Sequence, residues 1–404
     1  APAVPGARRR WLPAANGEPL HIGDRLLTAS TVLDWIDAQV RVPLAVGSRA
    51  LWRLAAAPYA DGSLVSLTVP HFRSDGLGLF HAIAARHDRP PPPPQGRGRY
   101  RARRGRPAGP GADDIGDALG QSARALAESA PWALRLLRDP GERARFTAAL
   151  RGGAPAGSGD TTTGDTSPRF FSSVVLDVDA DLWQRRAQEH GGTVNSLFVE
   201  IAANLVRAHV PATERRSVEV GIPMNLRDSV HDQRANALVV VPLALPGGTA
   251  RHTGLRDTRQ ATKSLLQGSG AHSATLAPEP LWHLLPDRLA GRLKAPGAQQ
   301  TDVVASNFGR LPEAVVRFAG RSADSVALRT MNVPGLVPGK ARLRASLCLV
   351  RVGDRVSLTV TGLPDHFGDS GSLGRIVAGE LGAWGLPARH WWEAEAESTR
   401  STHS

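Results

Sequence analysis

Cysteine and long apolar runs are nearly absent from this chain of 404 residues. Cys348 is the only cysteine, which excludes internal disulfides and metal clusters built on cysteine ligands, and makes a reducing compartment the expected one. No stretch of eighteen or more residues is continuously apolar, and no signal-peptide core is present. We therefore expect a cytoplasmic protein without a membrane-spanning helix.

The signature motifs of several large enzyme classes are missing as well. The sequence has no Gly-x-Ser-x-Gly elbow, no Gly-x-x-x-x-Gly-Lys phosphate loop, no Gly-x-Gly-x-x-Gly dinucleotide loop and no His-Glu-x-x-His pair. Serine hydrolase, NTPase, dehydrogenase and zinc peptidase functions therefore lack support. We expect no bound cofactor and no metal site.

Basic charge is what the chain has in excess. The formal charge is +12 and the isoelectric point is near 11.1, which favours an anionic partner. Six of the ten residues from Arg97 to Arg106 are arginine, inside a Pro- and Arg-rich segment (90–113) that we predict to be a loop. No zinc-finger spacing or RNA-binding aromatic signature accompanies it, so nucleic acid is not the expected partner. Two interpretations of this segment stay open: it makes peripheral contact with a membrane, or it is simply a disordered insert.

The length predicts either one large domain or two comparable domains, and we favour two lobes. The Gly-, Ser- and Thr-rich segment from Gly152 to Pro168 has the composition of a linker. We therefore place an N-terminal lobe at 1–152 and a C-terminal lobe at 169–392. Strand and helix patterns alternate in both halves, which predicts an α/β fold.

Hydrophobic periodicity locates most of the elements. Predicted helices include Thr31–Val40, Leu77–His87, Ile115–Leu137, Asp181–His190, Thr193–Val210, Gly254–Leu266, Pro280–Leu293 and Ser370–Trp384. Predicted strands include Leu51–Ala56, Leu64–Val69, Phe170–Val178, Val218–Ile222, Ala237–Leu245, Val303–Ser306, Val315–Phe318, Val326–Asn332, Leu343–Val352 and Val356–Gly362.

One stretch, 63–83, has the pattern of a strand, a sharp corner and a helix start. Pro70 ends the strand because it has no N–H for a sheet ladder, and His71 follows it directly. Asp75 and Gly76 then cap the next helix. An imidazole at such a corner is held by rigid backbone, as a general base requires, although a histidine that only caps the turn fits the same pattern.

Further segments accompany this corner in a recognisable order: Ala50-Leu51-Trp52, Thr193-Val-Asn195-Ser-Leu-Phe198, Pro223-Met-Asn-Leu-Arg227 followed by Asn236, and Ala305-Ser306-Asn307-Phe308-Gly309. With Pro70-His71-Phe-Arg-Ser-Asp75-Gly76, they resemble the wax ester synthase and diacylglycerol acyltransferase-like enzymes. That family belongs to the superfamily of chloramphenicol acetyltransferase and peptide-synthetase condensation domains, and its corner is His-His-x-x-x-Asp-Gly. The match covers roughly residues 8–384.

This chain departs from the family pattern at several positions. Pro70 replaces the first histidine, Ser196 replaces an aspartate, and Phe308 with Gly309 replaces Val-Pro. The family's opening strand and helix are expected to be missing before Arg8. In the family the second histidine is the base, and His71 occupies that position.

The resemblance implies a two-lobed, CoA-dependent acyltransferase fold (condensation-domain-like) with a channel between the lobes. It also implies an O-acyltransferase that transfers an acyl group from acyl-CoA, a co-substrate, to an alcohol acceptor, with His71 as general base. Asp75, Gly76 and Arg227 would support the site, with Arg227 pairing to Asp75. Asn195, Ser306, Asn307 and Gly309 are candidates for lining the channel, and the Asn307 strand or the backbone after His71 would stabilise the oxyanion.

Two other functions stay open on the same fold. The first is a condensation-type enzyme that takes a carrier-protein thioester and forms an amide, which needs a carrier partner. The second is a catalytically degenerate scaffold that binds acyl groups or lipid, in contact with a membrane or a lipid droplet. Acyl chain length, acceptor identity and oligomeric state are open in each case.

Overall fold

The fold was analysed in a computed structural model. The structure describes residues 4–7, 20–44, 51–87, 110–150, 169–210, 217–227, 232, 234–267, 276–293, 301–318, 320–330 and 342–391. Its helices are α1 (Val32–Val40), α2 (Gly76–His87), α3 (Pro110–Arg138), α4 (Pro140–Leu150), α5 (Ala180–Glu189), α6 (Val194–His209), α7 (Arg256–Gln267), α8 (Glu279–Leu284), α9 (Asp287–Arg292), α10 (Glu313–Val316), α11 (Pro364–Phe367) and α12 (Ser370–Ala383).

The strands are β1 (His21–Ile22), β2 (Arg53–Tyr59), β3 (Gly62–Thr68), β4 (Ser172–Asp179), β5 (Ser217–Asn225), β6 (Leu238–Pro246), β7 (Val303–Arg310), β8 (Arg317–Phe318), β9 (Arg321–Ser322), β10 (Ala345–Val352), β11 (Arg355–Gly362) and β12 (Arg389–His390). They form a three-stranded sheet in the order β1-β2-β3, a seven-stranded sheet in the order β12-β4-β11-β10-β7-β5-β6, and the pair β8-β9.

The chain folds into two compact units. One consists of Ala1–Asn16, Asp88–Gly157 and Ser273–Pro296, and the other of Gly17–His87, Ser158–His272 and Gly297–Ser404. We call them the helical unit and the sheet unit, because the first contains α3, α4, α8 and α9 and the second contains all the described strands. These two units do not correspond to the lobes that we predicted at 1–152 and 169–392. The division into those lobes stays a prediction.

The core of the sheet unit lies between the seven-stranded sheet and helices α5, α6 and α12. Val174, Leu176, Leu358 and Leu347 project from one face of the sheet into this cluster. Helix α6 is buried around most of its circumference, which is why its sequence is apolar on nearly every side. Strand β7 lies inside the sheet, parallel to both of its neighbours, β10 and β5.

The opposite face of the same sheet includes several buried polar residues. Ser357 and Thr361 on β11 and Ser346 on β10 are each less than 9% exposed. Ser325 and Thr330, in the segment after β9, provide hydroxyl partners for Ser357 and Ser346. This part of the face therefore exchanges hydrogen bonds with a neighbouring segment, beside Val304 and Val350, which belong to two smaller apolar clusters.

The three-stranded sheet supports the corner that carries His71. Strands β2 and β3 form an antiparallel hairpin from Arg53↔Thr68 to Tyr59↔Gly62, and the chain leaves β3 at Thr68 and enters α2 at Gly76. Ala60, in the hairpin turn, has a φ of 49°. The strand, corner and helix expected over residues 63–83 are therefore present.

The helical unit is built around the long helix α3. The indole N–H of Trp132 donates to the carbonyl of Leu276 at 3.2 Å, and its ring makes an edge contact with Phe146 at 5.3 Å. Helix α3 starts at Pro110, inside the segment 90–113 that we predicted to be a loop, so that prediction was wrong for its last four residues. Proline fits there because the first residues of a helix have no intrahelical partner for an N–H.

Three predicted elements differ in the structure. Val315–Phe318 was expected as a strand, but Glu313–Val316 is helical and only Arg317–Phe318 is extended in a sheet. The segment 326–330 is not a strand. Helix Pro280–Leu293 is divided into α8 and α9 because Leu285 precedes Pro286 and adopts an extended conformation. The arginine run and the segment 152–168 lie outside the described residues.

Candidate active site

His71 lies in the turn between β3 and α2. The carbonyl of Pro70 accepts hydrogen bonds from the backbone N–H groups of Arg73 (2.9 Å) and Ser74 (3.4 Å), which close this turn. The side chain of His71 is exposed, and within the described part of the chain its imidazole has no hydrogen-bond or ion-pair partner. The corner therefore presents the ring to solvent with both nitrogens free.

Asp75 holds the base of this turn and is only 2% exposed. Its Oδ1 accepts the backbone N–H of Gly78 at 2.7 Å, in the first turn of α2, and its Oδ2 accepts the backbone N–H of Ala237 at 2.7 Å. The carboxylate thus satisfies one donor of the helix start and one donor of the segment that leads into β6. Its oxygens are occupied by these contacts and by Arg227, and not by His71.

Arg227 is the ion-pair partner of Asp75. Its Nη2 is 2.9 Å from Oδ1 and 3.0 Å from Oδ2, and both side chains are 1% exposed. The same guanidinium donates to the carbonyl of Arg234 and, through Nη1, to Oδ1 of Asn225 at 3.1 Å. The pairing expected from the resemblance is present, and it ties the end of β5 to the His71 corner.

The segment 234–237 is bonded along its length to the His71 loop. The carbonyl of Ala235 accepts the N–H of Asp75 at 3.0 Å and the hydroxyl of Ser74 at 3.1 Å. The amide Nδ2 of Asn236 donates to the carbonyl of His71 at 2.8 Å. A Cβ on Gly78 would lie 2.2 Å from the Ala235 carbonyl oxygen, so only glycine permits this approach.

Asn236 and Phe308 are site residues that our sequence interpretation did not select. Asn236 follows Arg227 at the spacing of the family's asparagine, and this spacing was the only signal. Phe308 was noted only as a departure from the family. Its ring occupies the space above Gly76, where an added Cβ would lie 2.4 Å from Cε1, and it makes an edge contact with Phe80 at 5.7 Å.

The channel candidates lie near the end of β7, but on different sides of the strand. Asn307 Nδ2 donates to Asn195 Oδ1 at 3.0 Å, and Asn307 Oδ1 accepts the N–H of Gly309 at 2.9 Å. Gly309 has a φ of +63°, which favours glycine. Ser306 is buried and bonds to Cys348 on the opposite face of the sheet, so it is not part of the Asn195–Asn307 group.

Ser196, which replaces the family's aspartate, has a local role of its own. Its hydroxyl accepts the backbone N–H of Thr193 at 2.7 Å while Thr193 Oγ1 accepts the N–H of Ser196 at 3.2 Å. This reciprocal pair is a capping box at the start of α6. Asn195, which directly precedes Ser196, is therefore fixed in the first turn of a well-capped helix.

Chemically, the site combines an exposed imidazole with a rigid support. No group of three or more His, Cys, Asp or Glu side chains suited to a metal ion occurs among the residues that the structure describes. Of the described helices, none is long and apolar enough to cross a membrane. The arrangement suits proton transfer by His71, with Asp75 and Arg227 acting only on the position of its loop.

Comparison with known proteins identifies the fold. No family model matches the sequence, and no curated protein matches it. The chain is similar to the first condensation domain of the calcium-dependent antibiotic synthetase in complex with substrate analogue 2a, at 17% identity and a TM-score of 0.52 over 95% of this chain and 82% of that chain.

Two further solved structures are similar at lower scores. The first condensation domain of the CDA synthetase shares 17% identity at a TM-score of 0.48, over 97% of this chain and 81% of that chain. The epimerization domain from the third module of tyrocidine synthetase B shares 12% identity at 0.46, over 91% and 80%. The chain has a mixed α/β fold of the condensation-domain type, which confirms the expected fold class, while the channel between lobes stays a prediction.

Proposed function

We propose that this protein is an acyltransferase that moves an acyl group from a thioester, as in acyl-CoA, to the hydroxyl of an alcohol. Nε2 or Nδ1 of His71 takes the hydroxyl proton as the oxygen attacks the thioester carbonyl. The tetrahedral intermediate then expels the thiolate, and the imidazolium returns the proton to that sulfur. The products are an ester and a free thiol, and no covalent enzyme intermediate is needed.

One observation favours this proposal most directly: the loop of His71 is held firmly in place, while the imidazole itself has no partner among the described residues. Asn236 donates to the carbonyl of His71, and Arg227 pairs with the carboxylate of Asp75 in the same loop. The imidazole of His71 has no partner in the described part of the chain. A histidine that served only to cap the turn would use its ring nitrogens in hydrogen bonds to the turn itself. Backbone N–H groups at the start of α2, other than that of Gly78, which donates to Asp75, are candidates for stabilising the oxyanion.

The test is thioester turnover by His71→Ala. With a panel of acyl-CoA donors and alcohols, release of free CoA and formation of ester are measured together. The substitution is expected to lower kcat by ~10²–10⁴-fold, the usual contribution of a general base. His81→Ala is the matched control, because His81 is an exposed histidine on α2. Unchanged turnover in His71→Ala would overturn the assignment.

A second candidate differs in its donor. The similar solved structures include condensation domains of peptide synthetases, which favours a carrier-protein thioester and an amine acceptor. Turnover of free acyl-CoA in the absence of any carrier supports the first candidate. Turnover only with a loaded carrier protein supports the second, and binding without turnover of either donor supports a non-catalytic scaffold. Each outcome is read against the same His71→Ala variant.

A further inference from the structure

One segment, residues 325–330, crosses the face of the seven-stranded sheet opposite its main core without joining the sheet, and we call it the strap. Over its first four residues the backbone makes no hydrogen bond to any described residue. Ser325 Oγ is 2.9 Å from Ser357 Oγ on β11. Thr330 Oγ1 is 2.8 Å from Ser346 Oγ on β10. Side chains, and not a backbone ladder, therefore attach the strap to the sheet.

The part of the sheet beneath the strap is polar. Ser357, Thr359 and Cys348 are each 3% exposed or less, and Thr359 lies opposite Cys348 in the register of β11 and β10. The hydroxyl of Thr359 has no hydrogen-bond partner among the described residues, although it is buried. Exposure to water would give such groups hydrogen-bond partners, whereas exposure of the main core would lose hydrophobic burial. Removal of the strap therefore costs less than opening the other face.

The strap also has contacts on its far side. Val326 and Leu328 are half-buried and pack against the apolar cluster that contains Phe80 of α2. Arg329 forms an ion pair with Asp37 on α1. The strap thus touches α2, the helix that starts at the candidate active site, as well as the sheet.

We propose that the strap is movable: it leaves the sheet as a unit and returns, while the rest of the sheet unit stays folded. Segments with few backbone hydrogen bonds and few buried apolar contacts open at a lower free energy than the whole fold. Opening would uncover Cys348 and Ser306, which are neighbours on β10 and β7, and would separate α2 from the apolar side chains of the strap. The proposal does not depend on catalysis by His71.

Cys348 is a probe of this motion that the chain already contains. It is the only cysteine, it is 3% exposed, and it forms hydrogen bonds with Thr330 and Ser306. Burial raises the pKa of its thiol to about 12, and the thiolate is the form that reacts with a maleimide. At pH 8 the thiol should therefore react only when the strap has left it.

The test is the rate at which N-ethylmaleimide labels the full chain, measured against urea concentration and compared with the rate that global unfolding allows. We expect labelling without urea to be faster than global unfolding allows by about tenfold or more, with little dependence on urea at low concentrations. Ser325→Ala removes one attachment of the strap. It should speed labelling about fivefold, which is the effect of one ordinary hydrogen bond.

Two controls separate motion of the strap from global unfolding. Ser322→Ala makes the same change at an exposed position on β9 and should leave the labelling rate unaltered. Val199→Ala creates a cavity in the main core, so it should destabilise the whole unit but leave labelling without urea unaltered.

Four results would each overturn the proposal. They are no labelling of the folded chain, a urea dependence equal to that of global unfolding, no effect of Ser325→Ala, and acceleration by Val199→Ala equal to its effect on global unfolding.

Discussion

Arg227 places its Nη2 at 2.9 Å and 3.0 Å from the two carboxylate oxygens of Asp75, although the two residues are 152 positions apart in the chain. Both side chains are almost fully buried. The net contribution of a buried ion pair to the free energy of unfolding is small, because both charges lose their hydration. Removal of one partner costs much more, because the remaining buried charge has no partner. The pair therefore makes the position of the His71 loop depend on the end of β5.

Arg227→Ala should destabilise the fold strongly. The substitution leaves Asp75 buried with two backbone N–H donors and no cation, and we expect the free energy of unfolding to fall by about 3–5 kcal/mol. Equilibrium urea denaturation measures this change. Glu313→Gln removes one partner of the exposed Arg317–Glu313 pair and should change stability by less than about 1 kcal/mol. Equal effects of the two substitutions would contradict the buried role of Arg227.

Asn236→Ala should impair turnover more than stability. Asn236 is exposed, and its Nδ2 donates to the carbonyl of His71, so the loss of one hydrogen bond should cost about 1 kcal/mol or less of unfolding free energy. Misplacement of the His71 loop should nevertheless lower kcat by roughly tenfold to a hundredfold, with little change in KM. Steady-state kinetics with the best acyl-CoA donor measures both parameters.

Asn236→Asp provides the matched comparison. Aspartate has the shape of asparagine but cannot donate to the carbonyl of His71, so its kcat should be as low as that of Asn236→Ala or lower. A kcat close to that of the unaltered protein would show that shape, and not the hydrogen bond, positions the loop.

Gly76→Ala should be destabilising only while Phe308 is present. The new methyl group would lie 2.4 Å from Phe308 Cε1 and 2.9 Å from Cζ, so the ring or the start of α2 must move. Overpacking of this kind costs about 1–3 kcal/mol, and Phe308→Val, which installs the family's residue, should relieve most of it in the double variant. Urea denaturation of the two single variants and the double variant gives the coupling energy.

Gly379→Ala is the control for this cycle. Gly379 lies inside α12 with open space around its Cα, so alanine there should be neutral or should stabilise the fold by up to about 1 kcal/mol. Additive effects of Gly76→Ala and Phe308→Val would contradict the contact between these two positions.

Local sequence signals predicted the helices and strands that carry the site. They did not predict the long-range contacts that join those elements. The helix pattern from Thr193 and the β-branched run of Leu64–Val69 correspond to α6 and β3, because periodicity and caps act within a few residues. The contact between Asn236 and His71 joins residues 165 positions apart, and no local pattern encodes such a pairing. Only the resemblance to a family placed Arg227 beside Asp75.

The predictions that were wrong failed because of tertiary contacts, which hydrophobic periodicity does not describe. Val315 and Val316 have high strand propensity, yet they form the short helix α10 because they pack with Phe80 and Leu311 beneath α2. The end of β7 shows the other difficulty. The resemblance to the family made both Ser306 and Asn307 channel candidates, whereas alternation in a strand sends them to opposite faces.

Cys348 should make the fold less stable in alkaline solution. Burial raises the pKa of its thiol to about 12, and the hydrogen bonds from Thr330 and Ser306 offset only part of that effect. The unfolded thiol ionises near pH 8.5–9, so between that pH and 12 the unfolded state gains a charge that the folded state cannot accept. Stability attributable to Cys348 is thus complete below pH 8.5 and should fall by about 1–2 kcal/mol by pH 10. Urea denaturation at pH 8 and pH 10 measures the loss, and Cys348→Ala should show a correspondingly smaller loss over the same interval. Equal losses in both proteins would mean that the thiol is not protected from ionisation in the folded state.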